Sequence, residues 1–168
     1  GTHVAGIIGA EMDNGKGIAG LAPNAALHGY DYAPDWIQEL VGGWDTTSSI
    51  LAGFSLSLKN GGTDRKMVIN LSAGQTGSLP TSNDVFSEEA VDRNGALASQ
   101  YMASLLIRGY DFVVVQSAGN GAADGLGVDA RYNGLFAAID ADNCVTANGK
   151  VTVTAQDIMD RVIIVGAA

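Results

Sequence analysis

The stretch that decides how this chain is expected to fold is Phe112-Val113-Val114-Val115-Gln116-Ser117-Ala118-Gly119-Asn120. Its first part, residues 112–117, is β-branched and nearly all apolar, which predicts a buried strand. Its last part consists of small residues followed by an asparagine, so no bulky side chain blocks the end of the strand. The stretch therefore predicts a strand whose carboxyl end is open to a ligand.

The same strand signature recurs along the chain, in residues 25–30, 66–71 and 162–165. Each of these runs is short and mostly apolar, as expected for buried strands. Two segments between the strands are different. Residues 77–92 are polar and predict a loop, and Asn148-Gly149 predicts the tight turn of a surface hairpin.

Stretches of helical period separate the predicted strands. In residues 50–58, apolar side chains recur every four positions and form one helical face. Residues 46–48 are hydroxyl-bearing N-cap candidates for this helix, and Gly61-Gly62 is its stop signal. The same spacing recurs in residues 97–106, where Gly109 is the expected C-terminal cap.

The alternation of strands and helices predicts an α/β fold. We expect a doubly wound, mostly parallel sheet with helices on both faces. Ligands of such sheets bind beyond the carboxyl ends of the strands. Ser72-Ala73-Gly74 and Ala118-Gly119-Asn120 each follow or close a predicted strand. These residues therefore predict a binding site at that edge of the sheet.

The composition narrows the classes of function. A chain of 168 residues with 16% charged and 46% apolar residues is expected to form one globular domain. Its net charge of −9 argues against a nucleic-acid surface, which needs clustered lysines and arginines. No apolar run approaches the ~20 residues that span a bilayer. The single cysteine, Cys144, excludes an internal disulfide and a multi-thiolate metal site.

Five segments, in order along the chain, resemble motifs of the subtilisin-like serine proteases. The first, Gly1-Thr2-His3-Val4-Ala5-Gly6, is similar to the second half of the family's catalytic-histidine motif, His-Gly-Thr-His-Val-Ala-Gly. The others resemble the family's Gly-x-Ala-Pro-x-Ala, Val-Ile-Asn-x-Ser-x-Gly, Val-Val-x-Ala-Ala-Gly-Asn and Val-Ile-x-Val-Gly-Ala segments. They are residues 17–25, 68–74, 113–120 and 162–167.

The resemblance implies that this chain is the central part of a peptidase domain. Residues 1–168 would form one domain, with insertions at about 75–95 and 121–160 relative to compact family members. The general base would stand immediately before Gly1, which makes His3 a packing residue. The catalytic aspartate would also precede Gly1, and the serine would follow Ala168, so the chain alone is expected to be inactive. Ser72 and Ser117 are not nucleophile candidates, because neither has an adjacent base.

The resemblance also assigns roles at the predicted edge. Asn120 would donate its amide N–H₂ to the oxyanion of the acyl-transfer intermediate. Two sets of small residues would hold the substrate backbone: Ser72, Ala73 and Gly74, and, facing them, Ser117, Ala118 and Gly119. The intact protein would be a secreted or cell-surface endopeptidase that acts on peptides or proteins. The missing remainder of the domain would be the partner of this chain.

The glycine-rich segment Gly15-Lys16-Gly17-Ile18-Ala19-Gly20 formally matches a dinucleotide-binding loop. Such a loop needs a strand before it and a helix directly after it, whereas Pro23 and Asn24 follow here. In the subtilisin family the same loop often holds calcium, for which Asp13 and Asn14 are the candidate ligands. The predicted reaction requires no cofactor.

Two alternatives belong to other functional classes. The chain is also compatible with a non-catalytic, protease-derived domain that binds peptides or has a structural role. A nucleotide-binding Rossmann-type domain is the other alternative, and it predicts saturable binding of NAD or ATP. The sequence that flanks residues 1–168 distinguishes the first of these alternatives from the enzyme. It carries the triad residues if the protein is an enzyme and lacks them if the domain is non-catalytic.

Overall fold

The computed structural model describes residues 1–30, 46–72, 88–119, 129–132, 134–144 and 152–166. The chain divides into two units, Gly1–Ser57 and Leu58–Ala168, which we describe separately. The helices are α1 (Thr2–Gly9), α2 (Thr46–Gly61), α3 (Glu88–Ile107) and α4 (Ala155–Met159), with a 3-10 turn at Ala130–Tyr132. The strands are β1 (Lys66–Leu71), β2 (Asp111–Ser117) and β3 (Val162–Val165). The single domain predicted for residues 1–168, with its insertions, stays a prediction.

In the first unit, residues 20–22 complete the carboxyl end of α1. The N–H groups of Gly20, Leu21 and Ala22 donate to the carbonyls of Ala10, Ile7 and Ile8 at 2.9, 3.1 and 2.7 Å. The last carbonyls of a helix have no partner within it, so this returning segment satisfies them. Gly20 is required there, because an added Cβ would lie 2.6 Å from the Gly9 nitrogen. The glycine-rich segment therefore has a structural role at the end of α1.

The strand predicted for residues 25–30 is wrong, since the structure has no strand there. The N–H of Ala25 donates to the carbonyl of Ala22 in a local turn. The apolar side chains of the segment pack against glycines: Leu27 lies against Gly9 and Tyr30 against Gly53. A buried strand and an irregular segment that packs on helices can have the same apolar composition. They differ in whether a neighbouring strand is present to pair with the backbone.

In the second unit, the strands form a parallel sheet in the order β1-β2-β3. The pairing of β1 with β2 runs from Lys66–Asp111 to Leu71–Gln116, and the pairing of β2 with β3 ends at Ser117–Val165. The three strands lie where the sequence predicted them, except that β2 begins one residue earlier. The structure therefore confirms the α/β class with a parallel sheet.

Along β1 and β2, more buried side chains alternate with more exposed ones, so the two faces of the sheet are not equally buried. Phe112, Val114 and Gln116 of β2 are buried, whereas Val113 and Val115 are half-buried. On β1 the contrast is stronger, since Val68 is 73% exposed. Among the described residues, one face of the sheet is thus well covered and the other is more open.

Two glycines end the long helices as predicted. Gly109 has φ +88°, and the N–H groups of Gly109 and Tyr110 donate to the carbonyls of Leu106 and Leu105. This is the Schellman pattern of helix termination. Gly62 has φ +82°, and its N–H donates to the carbonyl of Leu58, which is the simpler left-handed cap.

At the amino ends of α2 and α3 the predictions need correction. Residues 46–48, the predicted N-caps, already lie in the first turn of α2. Of the polar loop predicted for residues 77–92, residues 77–87 lie outside the described residues. The prediction is wrong at residues 88–92, which are helical because α3 begins at Glu88. Glu88 and Glu89 lie in that first turn, where acidic side chains interact favourably with the helix dipole. The polarity of this segment therefore reflects a helix start.

The core of the second unit lies around α3. Its apolar side chains Val91, Ala98, Met102 and Leu105 are buried, together with Phe136 and Ile158. Gly95 lets the loop after β2 approach closely, because an added Cβ would overlap the carbonyl oxygen of Ala138 and the side chain of Asn143. The Asn143 side chain donates to that carbonyl at 2.7 Å and accepts from the N–H of Asp140 at 3.0 Å.

No helix in the described part of the chain combines the length and apolar character that crossing a bilayer requires. The predicted hairpin turn at Asn148-Gly149 lies outside the described residues.

Candidate functional site

The carboxyl edge of the sheet brings together the ends of β1 and β2. Leu71 pairs with Gln116, so extending the register by one residue places Ser72 opposite Ser117. On the other side, Ser117 pairs with Val165. The register therefore places Ser72 and Ser117, two of the predicted substrate-binding residues, next to each other.

Ser72 is exposed directly after β1, and its hydroxyl is tied to the strand. The Asn70 side chain donates to the Ser72 hydroxyl at 2.9 Å, and the hydroxyl donates back to Oδ1 at 3.4 Å. Within the described residues β1 pairs only with β2, which leaves its other edge without a strand partner. An extended peptide can add to such an edge through main-chain hydrogen bonds.

Ser117, Ala118 and Gly119 form the half-buried end of β2. The Ala118 N–H donates to the carbonyl of Val165 at 2.8 Å, which continues the ladder one residue beyond the strand. Gly119 then takes φ +98°, a conformation that favours glycine, and the chain turns out of the sheet. The Ala118 Cβ lies 3.7 Å from the position of a Cβ at Gly166, so both neighbouring strand ends carry small residues.

Three predicted site residues, Ala73, Gly74 and Asn120, lie outside the described residues. Their assignments stay predictions, including the oxyanion role of Asn120. The structure does describe their immediate neighbours, Ser72 and Gly119. Both neighbours lie at the carboxyl edge of the sheet.

The candidate calcium ligands lie in an exposed turn after α1. Asp13 has φ +61°, and the side-chain oxygen of Asn14 accepts the Lys16 N–H at 2.9 Å. The described residues contain no group of three or more His, Cys, Asp or Glu side chains suited to a metal ion. Calcium binding at Asp13 and Asn14 stays a prediction.

The histidines are exposed. His3 lies on the surface of α1, none of whose residues is buried, so the packing role expected for it is not seen in the described structure. His28 is exposed in the irregular segment after the glycine-rich turn. That turn has α1 before it and no helix directly after it, which is the wrong context for a dinucleotide loop.

An ion-pair cluster that no sequence pattern predicted joins the 3-10 turn to the start of α3. Arg131 contacts Asp129 at 2.8 Å and Glu88 at 3.4 Å, and the Tyr132 hydroxyl donates to Glu88. The hydrogen bond from Arg131 lowers the pKa of Asp129, and the carboxylate of Glu88 raises the pKa of Tyr132. The partners are 43 and 44 residues apart, too far for a spacing rule to pair them.

A buried amide was also missed at the end of β2. Gln116 is 3% exposed, next to Ser117 of the candidate site. A signal for it was present in the sequence, because a polar residue occupies the inward-facing register of an otherwise apolar strand. Gly134, which packs against this amide, carried no sequence signal.

Comparison with known proteins agrees with the motifs. A family model described as the subtilase family matches residues 1–168. Subtilisin DY of Bacillus licheniformis is 33% identical over 141 residues, which are 82% of this chain and 41% of that protein. The chain therefore spans less than half the length of this curated relative. No solved structure gives a significant match. The family match extends over every segment that carries the motifs and over all three strands, and on this ground the chain belongs to the subtilase family.

Proposed function

We propose that this chain is the central part of the catalytic domain of a secreted or cell-surface serine endopeptidase. The observation that carries the proposal is the edge where Ser72 and Ser117–Gly119 meet, on strands that match the family model. Small residues there allow a substrate backbone to approach closely. The net charge of −9 is consistent with peptide or protein substrates rather than nucleic acid.

Substrate binding would use the edge of β1 that has no strand partner among the described residues. An extended peptide would lie along Ser72, Ala73 and Gly74 and gain main-chain hydrogen bonds whatever its side chains. Ser117, Ala118 and Gly119 would form the facing wall. The hydrogen bonds between Ser72 and Asn70 keep that hydroxyl along the strand, which leaves the backbone to make the substrate contacts.

Bond cleavage would proceed through an acyl-enzyme. The triad serine, activated by the histidine, would attack the scissile carbonyl, and the aspartate would orient the histidine. These three residues would come from the rest of the protein. Asn120, directly after the turn at Gly119, would donate its amide to the oxyanion as negative charge develops. The reaction requires no cofactor, and a calcium ion at Asp13 and Asn14 would only stabilise the turn after α1.

Labelling with a fluorophosphonate probe tests this proposal. The probe modifies a serine only when a neighbouring base activates it. We expect stoichiometric labelling of the whole protein that carries this chain and no labelling of residues 1–168 alone. Labelling of the isolated chain would mean that it contains its own activated nucleophile. A whole protein that binds peptides without being labelled would be a non-catalytic member of the family.

A further inference from the structure

The amide of Gln116 is an unusual group to bury at the end of β2. It is 3% exposed, on the same face as the apolar side chains Phe112 and Val114. Burying an amide is costly unless its polar atoms are satisfied in a defined geometry. An apolar residue of similar size would fill this place without that requirement, so the amide restricts how this end of the strand can be arranged.

The backbone of Gly134 packs directly on this amide. A Cβ added at Gly134 would lie 2.6 Å from Cδ and 2.8 Å from Nε2 of Gln116. Gly134 also belongs to the buried residues 134–138, in which Phe136 is 0% exposed. The run is held in turn against α3 at Gly95. Because this segment is packed on its other side, it cannot easily move away from Gln116.

The contact lies directly behind the candidate substrate wall. Gln116 pairs with Leu71, the residue before Ser72, and it precedes Ser117 in the chain. Adjacent residues of a strand point to opposite faces, so Gln116 faces the core where Ser117 faces the more open side. A shift of the Gln116 side chain would therefore displace Ser117 and the residues that follow it.

We propose that Gln116 is a positioning residue for the substrate wall. Its amide, packed against Gly134, holds the carboxyl end of β2 from behind and so aligns Ser117–Gly119 with a bound peptide. This inference rests on the proposed peptidase function. It adds to that function a residue, Gln116, that positions the substrate-binding residues without itself touching the substrate.

Two substrates of different length, assayed with the whole protein that carries this chain, test the proposal. An extended chromogenic peptide lies along the wall, whereas a small activated ester such as p-nitrophenyl acetate reaches only the reacting groups. Gln116→Met keeps the side-chain length and removes the amide. We expect kcat/KM for the peptide to fall roughly 10–100-fold, mainly through a higher KM, because the backbone is misaligned. Turnover of the ester, per site titrated with fluorophosphonate, is expected to fall much less, because the ester makes no contact with the wall.

A second variant tests the same contact from its other side. Gly134→Ala places a methyl group against the Gln116 amide and is expected to give the same selective loss with the peptide. Because the two changes act on one contact, the double variant should lose less than the product of the two single losses. Gln100→Met, at an exposed position of α3, is the matched control and should behave as wild type with both substrates.

Two results would overturn the proposal. Equal losses with the peptide and the ester would mean that Gln116 only supports the fold. Unchanged peptide kinetics in Gln116→Met and Gly134→Ala would mean that the contact does not position the wall. A wild-type protein that cleaves neither substrate overturns the proposed function, and this inference with it.

Discussion

At Gly119 the backbone takes φ +98°, which side chains other than glycine rarely adopt. The ladder ends one residue earlier, where the Ala118 N–H donates to Val165. The chain therefore leaves the sheet at Gly119, the residue before the predicted oxyanion donor. The role predicted for Asn120 is that of an oxyanion donor, which must be preorganised to act on the transition state.

Replacing Asn120 with alanine in the whole protein tests that role. Loss of one oxyanion donor costs roughly 10²–10³ in kcat, a magnitude measured on subtilisin itself, which belongs to the same family. We expect a fall of this size in Asn120→Ala, with KM little changed, because the donor acts on charge that develops in the transition state. Steady-state kinetics with a peptide substrate measure it. Asn60→Ala, at the exposed end of α2, should be silent. A kcat close to wild type in Asn120→Ala would remove this residue from the mechanism.

At the scale of elements, the helix ends depend on glycine. The Schellman cap at Gly109 connects α3 to β2, and only a left-handed residue lets the chain reverse there. Apart from its neighbours in the chain, no atom of the described residues lies within 4 Å of where a Cβ would stand at Gly109. The requirement for glycine is therefore one of backbone conformation and not of space.

Gly109→Ala is expected to destabilise the protein by about 1–2 kcal/mol, the cost of a left-handed conformation for an L residue. Denaturant unfolding at equilibrium measures this free energy. Gly29→Ala is the matched control, because that glycine also has open space around it but lacks a positive φ. The control should be neutral or slightly stabilising. Equal destabilisation by both substitutions would contradict the conformational explanation.

At the scale of the whole second unit, one arginine joins the starts of neighbouring strands. Arg161, just before β3, donates to the Asp111 carboxylate at 2.7 Å and to the Phe112 carbonyl at 2.9 Å. It also lies 6.0 Å from the centre of the Phe112 ring. The hydrogen bond from Arg161 is the main cause that lowers the pKa of Asp111 in the folded protein.

This lowered pKa makes stability depend on pH in a defined direction. In the unfolded chain Asp111 titrates near its ordinary value of 3.8, and in the folded protein it titrates lower. The stabilisation is therefore fully present above about pH 4 and is lost as the pH falls through the lower, folded-state pKa. We expect Asp111→Asn to lower stability at neutral pH and to flatten the loss below pH 4. Urea unfolding across this range checks both effects, and identical acid profiles for variant and wild type would refute the assignment.

The sequence was a reliable guide wherever a local rule decides the outcome. Strands 66–71 and 162–165, and the helix stops at Gly62 and Gly109, follow from composition and from backbone conformation alone. Local rules failed where a partner decides. Residues 25–30 have the composition of a strand, but they lack a ladder partner and pack on helix glycines instead. Residues 88–92 failed for another reason, since polar and acidic residues are typical both of a loop and of the first turn of a helix.

The amino-acid sequence by itself determined the family, the parallel α/β class and the small residues at the ends of β1 and β2, because these depend on motif order and on steric rules within a few residues. Only the tertiary structure decided that Ser72 and Ser117 are neighbours, that Gly134 packs on the Gln116 amide, and that Arg161 joins β2 to β3. The physical reason is the same in each case. Contacts between residues far apart in the chain depend on register and on close packing, which no local pattern encodes.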